Sequence, residues 1–311
     1  MLKSVKKPTV LLIVGPTAVG KTELSLRLAE TLKGEIVSMD SKLIYRGMDI
    51  GTAKPTLVER ARVAHYMIDL VEPDENWSLV LFRKQVLQTI GELQAKGKIP
   101  ILVGGTGQYV RALMEGWDIP SQVPDAALRN VLESWGKEIG SAALHQKLEV
   151  LDPEAAAAID PNNLRRLVRA FEVIFMTGRK FSIQQRKTAP DLSFWMIGLN
   201  RPRAELYLRV DERIEAMIEM GFVEEVENLL AKGYSVSDPP MSAIGYREVI
   251  GFIQGEISLE EAQVLMRRKT REFIRRQANW FKSTDEQIHW YEMTPDPFED
   301  ILSDLRIAKV V

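Results

Sequence analysis

No cysteine occurs among the 311 residues, so disulfides and thiolate-held zinc are excluded at the outset. Histidine is nearly as scarce, and the three present, His65, His145 and His289, are too far apart in sequence to suggest a metal cluster. No apolar run approaches the roughly 18 residues that read as a membrane span. Met1 to Lys7 lead straight into an apolar strand and leave no room for a signal peptide. A soluble, cytoplasmic protein is expected. Charge of one sign is also lacking: 41 Lys+Arg against 43 Asp+Glu leave a net charge of -2. Any nucleic-acid footprint therefore has to be a local basic patch. What is present is an ordinary globular composition, 45% hydrophobic, sufficient for one large domain or two modest ones.

The most specific local pattern is Gly15-Pro16-Thr17-Ala18-Val19-Gly20-Lys21-Thr22, which fits G-x-x-x-x-G-K-[ST]. It follows an apolar strand, Val10 to Val14, and precedes an amphipathic helix, Thr22 to Leu32, the setting in which this P-loop pattern has mechanical meaning. Its glycines let successive backbone N–H groups turn toward a phosphate, and the helix N-terminus adds its positive dipole. Lys21 supplies a mobile charge and Thr22 a hydroxyl for Mg²⁺. The pattern points to a polyphosphate ligand without saying which one.

Alternating elements continue through the first third: a strand from Glu35 to Met39 ending at Asp40, a short strand at Tyr66 to Leu70, and an amphipathic helix from Ser78 to Lys96. The strand Ile99 to Val103 is stopped by Gly104-Gly105. Continuous apolar strands separated by helices imply a parallel sheet covered on both faces. Between about Gly116 and Pro190 the strand signal fades and helical patterns take over, at Ala126 to Glu138, Ser141 to Val150, Pro153 to Ala158 and Asn163 to Met176. Beyond it, Phe194 to Leu199 reads as a strand, Arg203 to Lys232 as one long helix, Ile288 to Tyr291 as a strand and Phe298 to Ile307 as a last helix. The expectation is an α/β core, residues 1–116 and 191–311, with an all-helical insertion at 117–190.

In open parallel sheets ligands bind at the carboxyl ends of the strands. The P-loop, Asp40-Ser41 and Gly104-Gly105-Thr106 follow three such ends and are expected to border one crevice. Asp40 reads equally as a turn residue or as a functional carboxylate. The strand ending at Gly104 lacks the acidic residue with which an ATPase commonly holds Mg²⁺ or positions water. Asp69 is a candidate for that role or a simple strand end. The kinase kit is incomplete, and chemistry other than phosphoryl transfer has to be considered.

Five segments taken together carry a resemblance: Gly15 to Thr22, Asp40 to Pro55, Gly104 to Tyr109, Asp160 to Arg166, and Gly245-Tyr246-Arg247. In matching order over almost the whole chain, they resemble the tRNA dimethylallyltransferases, in the bacterial form, since this chain has no cysteine-bearing zinc finger. The resemblance implies a P-loop kinase-like parallel sheet flanked by helices. It also implies transfer of a dimethylallyl group from dimethylallyl diphosphate to the exocyclic amine of the adenine 3′ of the anticodon, position 37, in tRNAs reading codons that begin with U.

The P-loop would then hold the leaving diphosphate. Gly15 to Thr22 would form an electrostatic cradle with Mg²⁺ at Thr22. Arg213 would contact the diphosphate by resemblance, and shares a helix face with Arg209, four residues away. Without the resemblance, a solvated face with Arg209 paired to Glu205 or Asp211 is the better reading. Asp40 is the best general base for the amine proton. Thr106 would hydrogen-bond near the reacting centre, which is compatible with capping the helix after it. The adenine would be flipped out of its stack.

The resemblance assigns tRNA contact to Ser41, Lys42 and Leu43, to Arg165, Arg166, Leu167, Val168 and Arg169, to Ser242, Ala243, Ile244, Gly245, Tyr246 and Arg247, and to Arg129. The partner is expected to be the anticodon stem-loop, with the enzyme a monomer and no membrane involved. The basic helix from Arg267 to Lys282 reads either as a phosphate track or as an amphipathic helix turning Phe273, Trp280 and Phe281 inward. The rivals are an adenylate isopentenyltransferase acting on free AMP, ADP or ATP, a P-loop small-molecule kinase, and a nucleotide-gated RNA-binding module without catalysis.

Overall fold

A computed structural model describes residues 9–117, 125–184 and 187–310; the segment Met1 to Lys7 lies outside them. The chain divides into two compact units, Met1–Val110 with Asp191–Val311, and Arg111–Pro190.

The first unit begins with β1 (Thr9–Val14), α1 (Lys21–Leu32), β2 (Glu35–Ser38), α2 (Leu57–Arg62), β3 (His65–Tyr66), α3 (Leu79–Ala95) and β4 (Pro100–Val103). Helix α4 (Gly107–Met114) crosses the division. The second unit holds α5 (Ala126–Ile139), α6 (Ser141–Leu151), α7 (Pro153–Ala158) and α8 (Leu164–Thr177). The chain then returns through β5 (Ser193–Asn200), α9 (Arg203–Glu219), α10 (Phe222–Ala231), α11 (Tyr246–Ile253), α12 (Leu259–Gln277), β6 (Ile288–Glu292) and α13 (Phe298–Ile307).

The strands form one six-stranded sheet in the order β3-β2-β4-β1-β5-β6, and every pair is parallel. Val10 to Val14 are fully buried, which is why β1 reads as an unbroken apolar run rather than an alternating one. Connections from β1 run to one side as far as β4 and then cross to the other for β5 and β6. The carboxyl ends of β1 and β4 thus flank the reversal of winding, where ligands bind in such sheets.

Two expectations are corrected. The strand expected at Tyr66 to Leu70 is only His65–Tyr66. Met67 and Asp69 take φ of 63° and 55° and turn the chain away. The helix expected from Arg203 to Lys232 is two helices, broken where Gly221 adopts φ 93°, a conformation that helix periodicity cannot reveal and glycine permits.

The second unit has its own core, built on Leu132, Leu144, Leu148, Leu167, Phe171 and Phe181. Arg111 to Trp117 go with it: Thr188 N donates to Gly116 O at 2.8 Å, and Trp117 bridges to Lys187.

Candidate active site

The sheet register pairs Val103 with both Ile13 and Ser38, so the carboxyl ends of β1, β2 and β4 lie level. The segments that follow them are thereby brought together. Gly104 N donates to Ile13 O at 3.2 Å, and Ser41 N donates to the Thr106 hydroxyl at 3.4 Å. Asp40 and Thr106 are neighbours across this crevice, with the P-loop beside them.

The P-loop is braced from behind. Arg201 Nε donates to Val19 O at 2.9 Å and Arg209 Nε to Ala18 O at 2.8 Å. Arg209 therefore binds the loop and pairs with neither Glu205 nor Asp211; Glu205 takes Arg201, and Asp211 takes Arg271. Lys21 Nζ donates to Gly15 O and Pro16 O at 3.0 and 2.8 Å, leaving one of its three N–H groups for a ligand. No side chain caps α1, so its first amides, which have no intrahelical acceptor, are open to an anion. Thr22 is exposed at this end.

Positive charge gathers here. Burial pushes the Lys21 ammonium down to about 8, Arg213 pushes the same way, and Asp40 opposes them. Burial likewise lowers the Arg213 guanidinium, with Arg209 adding to the effect, and lowers Lys42 against the pull of Asp40. Desolvated cations with one carboxylate among them make a site complementary to a polyanion.

Burial raises the Asp40 carboxyl above its ordinary range, although hydrogen bonds from the backbone and the charges of Lys21 and Lys42 favour ionisation. Its Oδ1 accepts from Lys42 N at 2.8 Å, which holds Ser41 and Lys42 in a tight turn beside it. A carboxylate in this setting can accept a proton, as a general base must. Asp69, the other acidic candidate, is taken by Lys54 at 2.6 Å and Arg60 at 2.8 Å and serves to anchor its loop.

Of the residues assigned to tRNA in the first unit, Ser242 and Arg247 are exposed, Ala243 and Ile244 half-buried, and Ser41, Lys42 and Leu43 half-buried beside Asp40. Gly245 and Tyr246 are buried. The Tyr246 hydroxyl donates to Glu225 at 2.6 Å. Glu225 in turn accepts from the amides of Asp49, Ile50 and Gly51, fixing the loop that follows Asp40. On α12, Arg267 and Arg271 pair with Glu215 and Asp211 of α9, and Lys269 with Glu248 of α11. Arg268, Arg276 and Lys282 remain exposed. Phe281 is buried, whereas Phe273 and Trp280 are each 37% exposed, so only one of the three aromatics turns inward.

In the second unit Leu167 and Val168 face the core. Arg129, Arg165 and Arg169 line a cavity of about 460 Å³. Arg129 and Arg169 both reach Glu172, at 2.7 and 2.8 Å. Arg165 and Arg166 are exposed. Glu172 was not legible as a site residue, since its partner Arg129 lies 43 residues away.

Comparison with known proteins agrees with this architecture. Residues 43–284 match the family described as IPP transferase. A tRNA dimethylallyltransferase of Thermomicrobium roseum is 44% identical over 289 residues, 93% of this chain and 88% of that protein. One from Roseiflexus sp. is 48% identical over 270 residues, covering 87% and 88%. The solved structure of the full-length tRNA isopentenylpyrophosphate transferase of Bacillus halodurans superposes with a TM-score of 0.72 at 38% identity, over 97% of this chain and 96% of that one. A eukaryotic dimethylallyltransferase acting on tRNA gives a TM-score of 0.78 at 26% identity, over 97% and 78%. With a parallel sheet of this kind, a match across most of its length and relatives at this level of identity, the chain belongs to the IPP transferase family.

Proposed function

We propose that this enzyme transfers a dimethylallyl group from dimethylallyl diphosphate to the exocyclic amine of the adenine 3′ of the anticodon in tRNA. The observation that carries the reading is the group of desolvated cations, Lys21, Lys42 and Arg213, around the P-loop and the uncapped start of α1, with Asp40 the carboxylate neighbour of Lys21 and Lys42. A phosphoryl transferase needs further acidic residues at this point, whereas a leaving diphosphate needs only charge compensation.

In the transfer, the bond between the allylic carbon and the diphosphate oxygen breaks as the carbon–nitrogen bond forms. The diphosphate keeps the electron pair and remains on the P-loop amides, Lys21 and Arg213. The amine proton passes to the Asp40 carboxylate. Thr106, whose hydroxyl sits against the Ser41 amide, orients the groups that meet there. Thr22 is the residue that would hold Mg²⁺, which would add positive charge to the leaving group. A lone exposed hydroxyl, with no cluster of metal-holding side chains among the described residues, suits an ion that keeps most of its ligands as water and phosphate oxygens.

The test offers labelled dimethylallyl diphosphate with Mg²⁺, unmodified tRNA and free AMP. Label is expected on tRNA alone; label on AMP but not tRNA would overturn the reading, as would phosphate movement from ATP without prenyl transfer.

The state of Lys21 gives a sharper check. With its ammonium at about 8 in the free enzyme, the group is mostly neutral at about pH 9, and pairing with diphosphate raises it again. Binding there is expected to take up close to one proton more than in Lys21→Arg, whose guanidinium never deprotonates. At about pH 6.5 both are already charged and the difference should vanish. Calorimetry in two buffers of different ionisation enthalpy measures it; an equal uptake at high pH in both proteins would remove Lys21 from the diphosphate site.

For the tRNA surface, Arg165→Ala is expected to reduce the slope of log affinity against log salt by about one, with turnover at saturation little changed. An unaltered slope would return Arg165 to an ordinary solvated position.

A further inference from the structure

One side chain from far along the sequence joins the P-loop to the Thr106 loop. Gln277, the last residue of α12, is 4% exposed. Its Oε1 accepts from the Thr17 amide at 2.9 Å and from the Thr17 hydroxyl at 3.3 Å, and its Nε2 donates to Gly105 O at 3.1 Å. The network fixes the orientation of the carboxamide: reversed, its NH₂ would face an amide N–H and its oxygen a carbonyl. A carboxamide accepts at one end and donates at the other, an ionised carboxylate only accepts, and asparagine is one methylene shorter.

Gly105 is shaped around this contact. A Cβ at that position would lie 2.3 Å from Gln277 Nε2, while the Gly105 backbone is outside the left-handed region. The missing side chain is therefore a matter of space, not of backbone strain. Gly105 immediately precedes Thr106, whose hydroxyl accepts from Ser41 N, next to Asp40. Thr17 sits within the loop that ends in Lys21 and Thr22. The contacts thus run unbroken from the phosphate-holding loop through Gln277 to the loop beside the base.

We propose that Gln277 is a positioning residue of the transfer reaction, a clamp that sets the spacing between the diphosphate cradle and the Thr106–Asp40 pair. The proposal rests on the functional reading above. Gln277 need touch neither substrate, because both its partners are backbone or loop groups that carry the substrate-facing residues. The rate of a transfer between two bound reactants depends steeply on their separation, and a displacement of about 1 Å can lower it on the order of 100-fold.

The experiment compares Gln277→Glu, Gly105→Ala, Gln277→Ala and the Gly105→Ala/Gln277→Ala double variant. Gln277→Glu is close to isosteric but places a carboxylate oxygen against the Gly105 carbonyl. It is expected to lower kcat about 10- to 100-fold, with KM for tRNA and for the diphosphate within about threefold. Gly105→Ala and Gln277→Ala should each lose a similar factor, and their double variant should lose clearly less than the product of those two losses, since the added methyl no longer meets Nε2. Losses that simply multiply, or a normal kcat in Gln277→Glu, would overturn the clamp.

Hydrogen exchange with inorganic diphosphate supplies a readout independent of turnover. In the wild type, diphosphate should slow exchange in residues 15–22 and also in 104–106; in Gln277→Ala the second effect should be lost. Wild-type protein that transfers no label to tRNA would defeat the functional reading alone. Protection of 104–106 that persists without Gln277 would defeat the clamp whatever the reaction proves to be.

Discussion

Replacing Asp40 by alanine is expected to lower turnover by roughly two to four orders of magnitude, the range usual for loss of a general base. Binding should respond differently. Asp40 is the carboxylate beside Lys21 and Lys42, and its removal takes negative charge away from the place where a diphosphate sits. Diphosphate affinity near neutral pH is therefore expected to hold or rise as turnover collapses. That split distinguishes loss of a proton acceptor from loss of the fold. The pH profile adds a sign: burial raises the Asp40 carboxyl above its ordinary 3.8, and the base works only when ionised. The rate should consequently fall as pH drops through a value above 3.8, and the limb should be absent from the residual activity of Asp40→Ala. Single-turnover rates with prebound tRNA measure the first effect and equilibrium titration the second. Near-normal turnover in Asp40→Ala would remove this residue from the mechanism.

What the sequence could reveal of this site follows from how its parts are built. The P-loop is made of consecutive backbone groups, so a short pattern suffices to find it. Asp40 and Thr106 follow apolar strands, and a parallel sheet places such ends on one edge, where the register of β1, β2 and β4 indeed levels them. The braces were hidden. Gln277 meets Thr17 across 260 residues, and Arg209 meets Ala18 across 191. No periodicity within α9 or α12 distinguishes an arginine or glutamine that grips a loop from one that faces water. Burial was equally invisible at Tyr246, whose flanking Gly245 and Arg247 look like a surface turn while its ring packs against Phe222 at 5.0 Å. The misread strand after His65 has the same origin: Met67 and Asp69 twist out of extended geometry so that Asp69 can reach Lys54 and Arg60, contacts that local propensity does not contain.

Glu172 marks the second large effect, in the helical unit. Its side chain is fully buried, and it accepts from Arg129 at 2.7 Å, Arg169 at 2.8 Å and the Asp125 amide at 3.1 Å. Burial opposes its ionisation, but the two guanidiniums together outweigh that and hold its carboxyl below the ordinary 4.5. Removing the carboxylate takes away the acceptor shared by Arg129, Arg169 and a helix-leading amide at once. Breaking a buried ion pair typically costs about 3–5 kcal/mol. Here the lower end applies, because Arg129 and Arg169 remain partly exposed, at 36% and 25%, and water can take over part of their solvation. Glu172→Ala is therefore expected to lower native-state protection of the α5 and α8 amides by about 3 kcal/mol, on the order of 100-fold in the opening constant. Glu172→Gln, which keeps an acceptor without the charge, should lose a smaller part. The acid dependence has a definite sign. A carboxyl depressed by folding contributes stability that is whole above 4.5, its unfolded value, and disappears as pH falls through the lower folded value. That acid-labile component should be present in the wild type and missing from both variants. Because Arg129 lines the same cavity as Arg165, loosening it also returns its ordering cost to tRNA binding, about 0.5–1.5 kcal/mol for an immobilised side chain. Affinity for tRNA should fall in Glu172→Ala while its salt slope does not, since every arginine keeps its charge. Unchanged exchange in α5 and α8 together with unchanged affinity would leave Glu172 a bystander in its own ion-pair network.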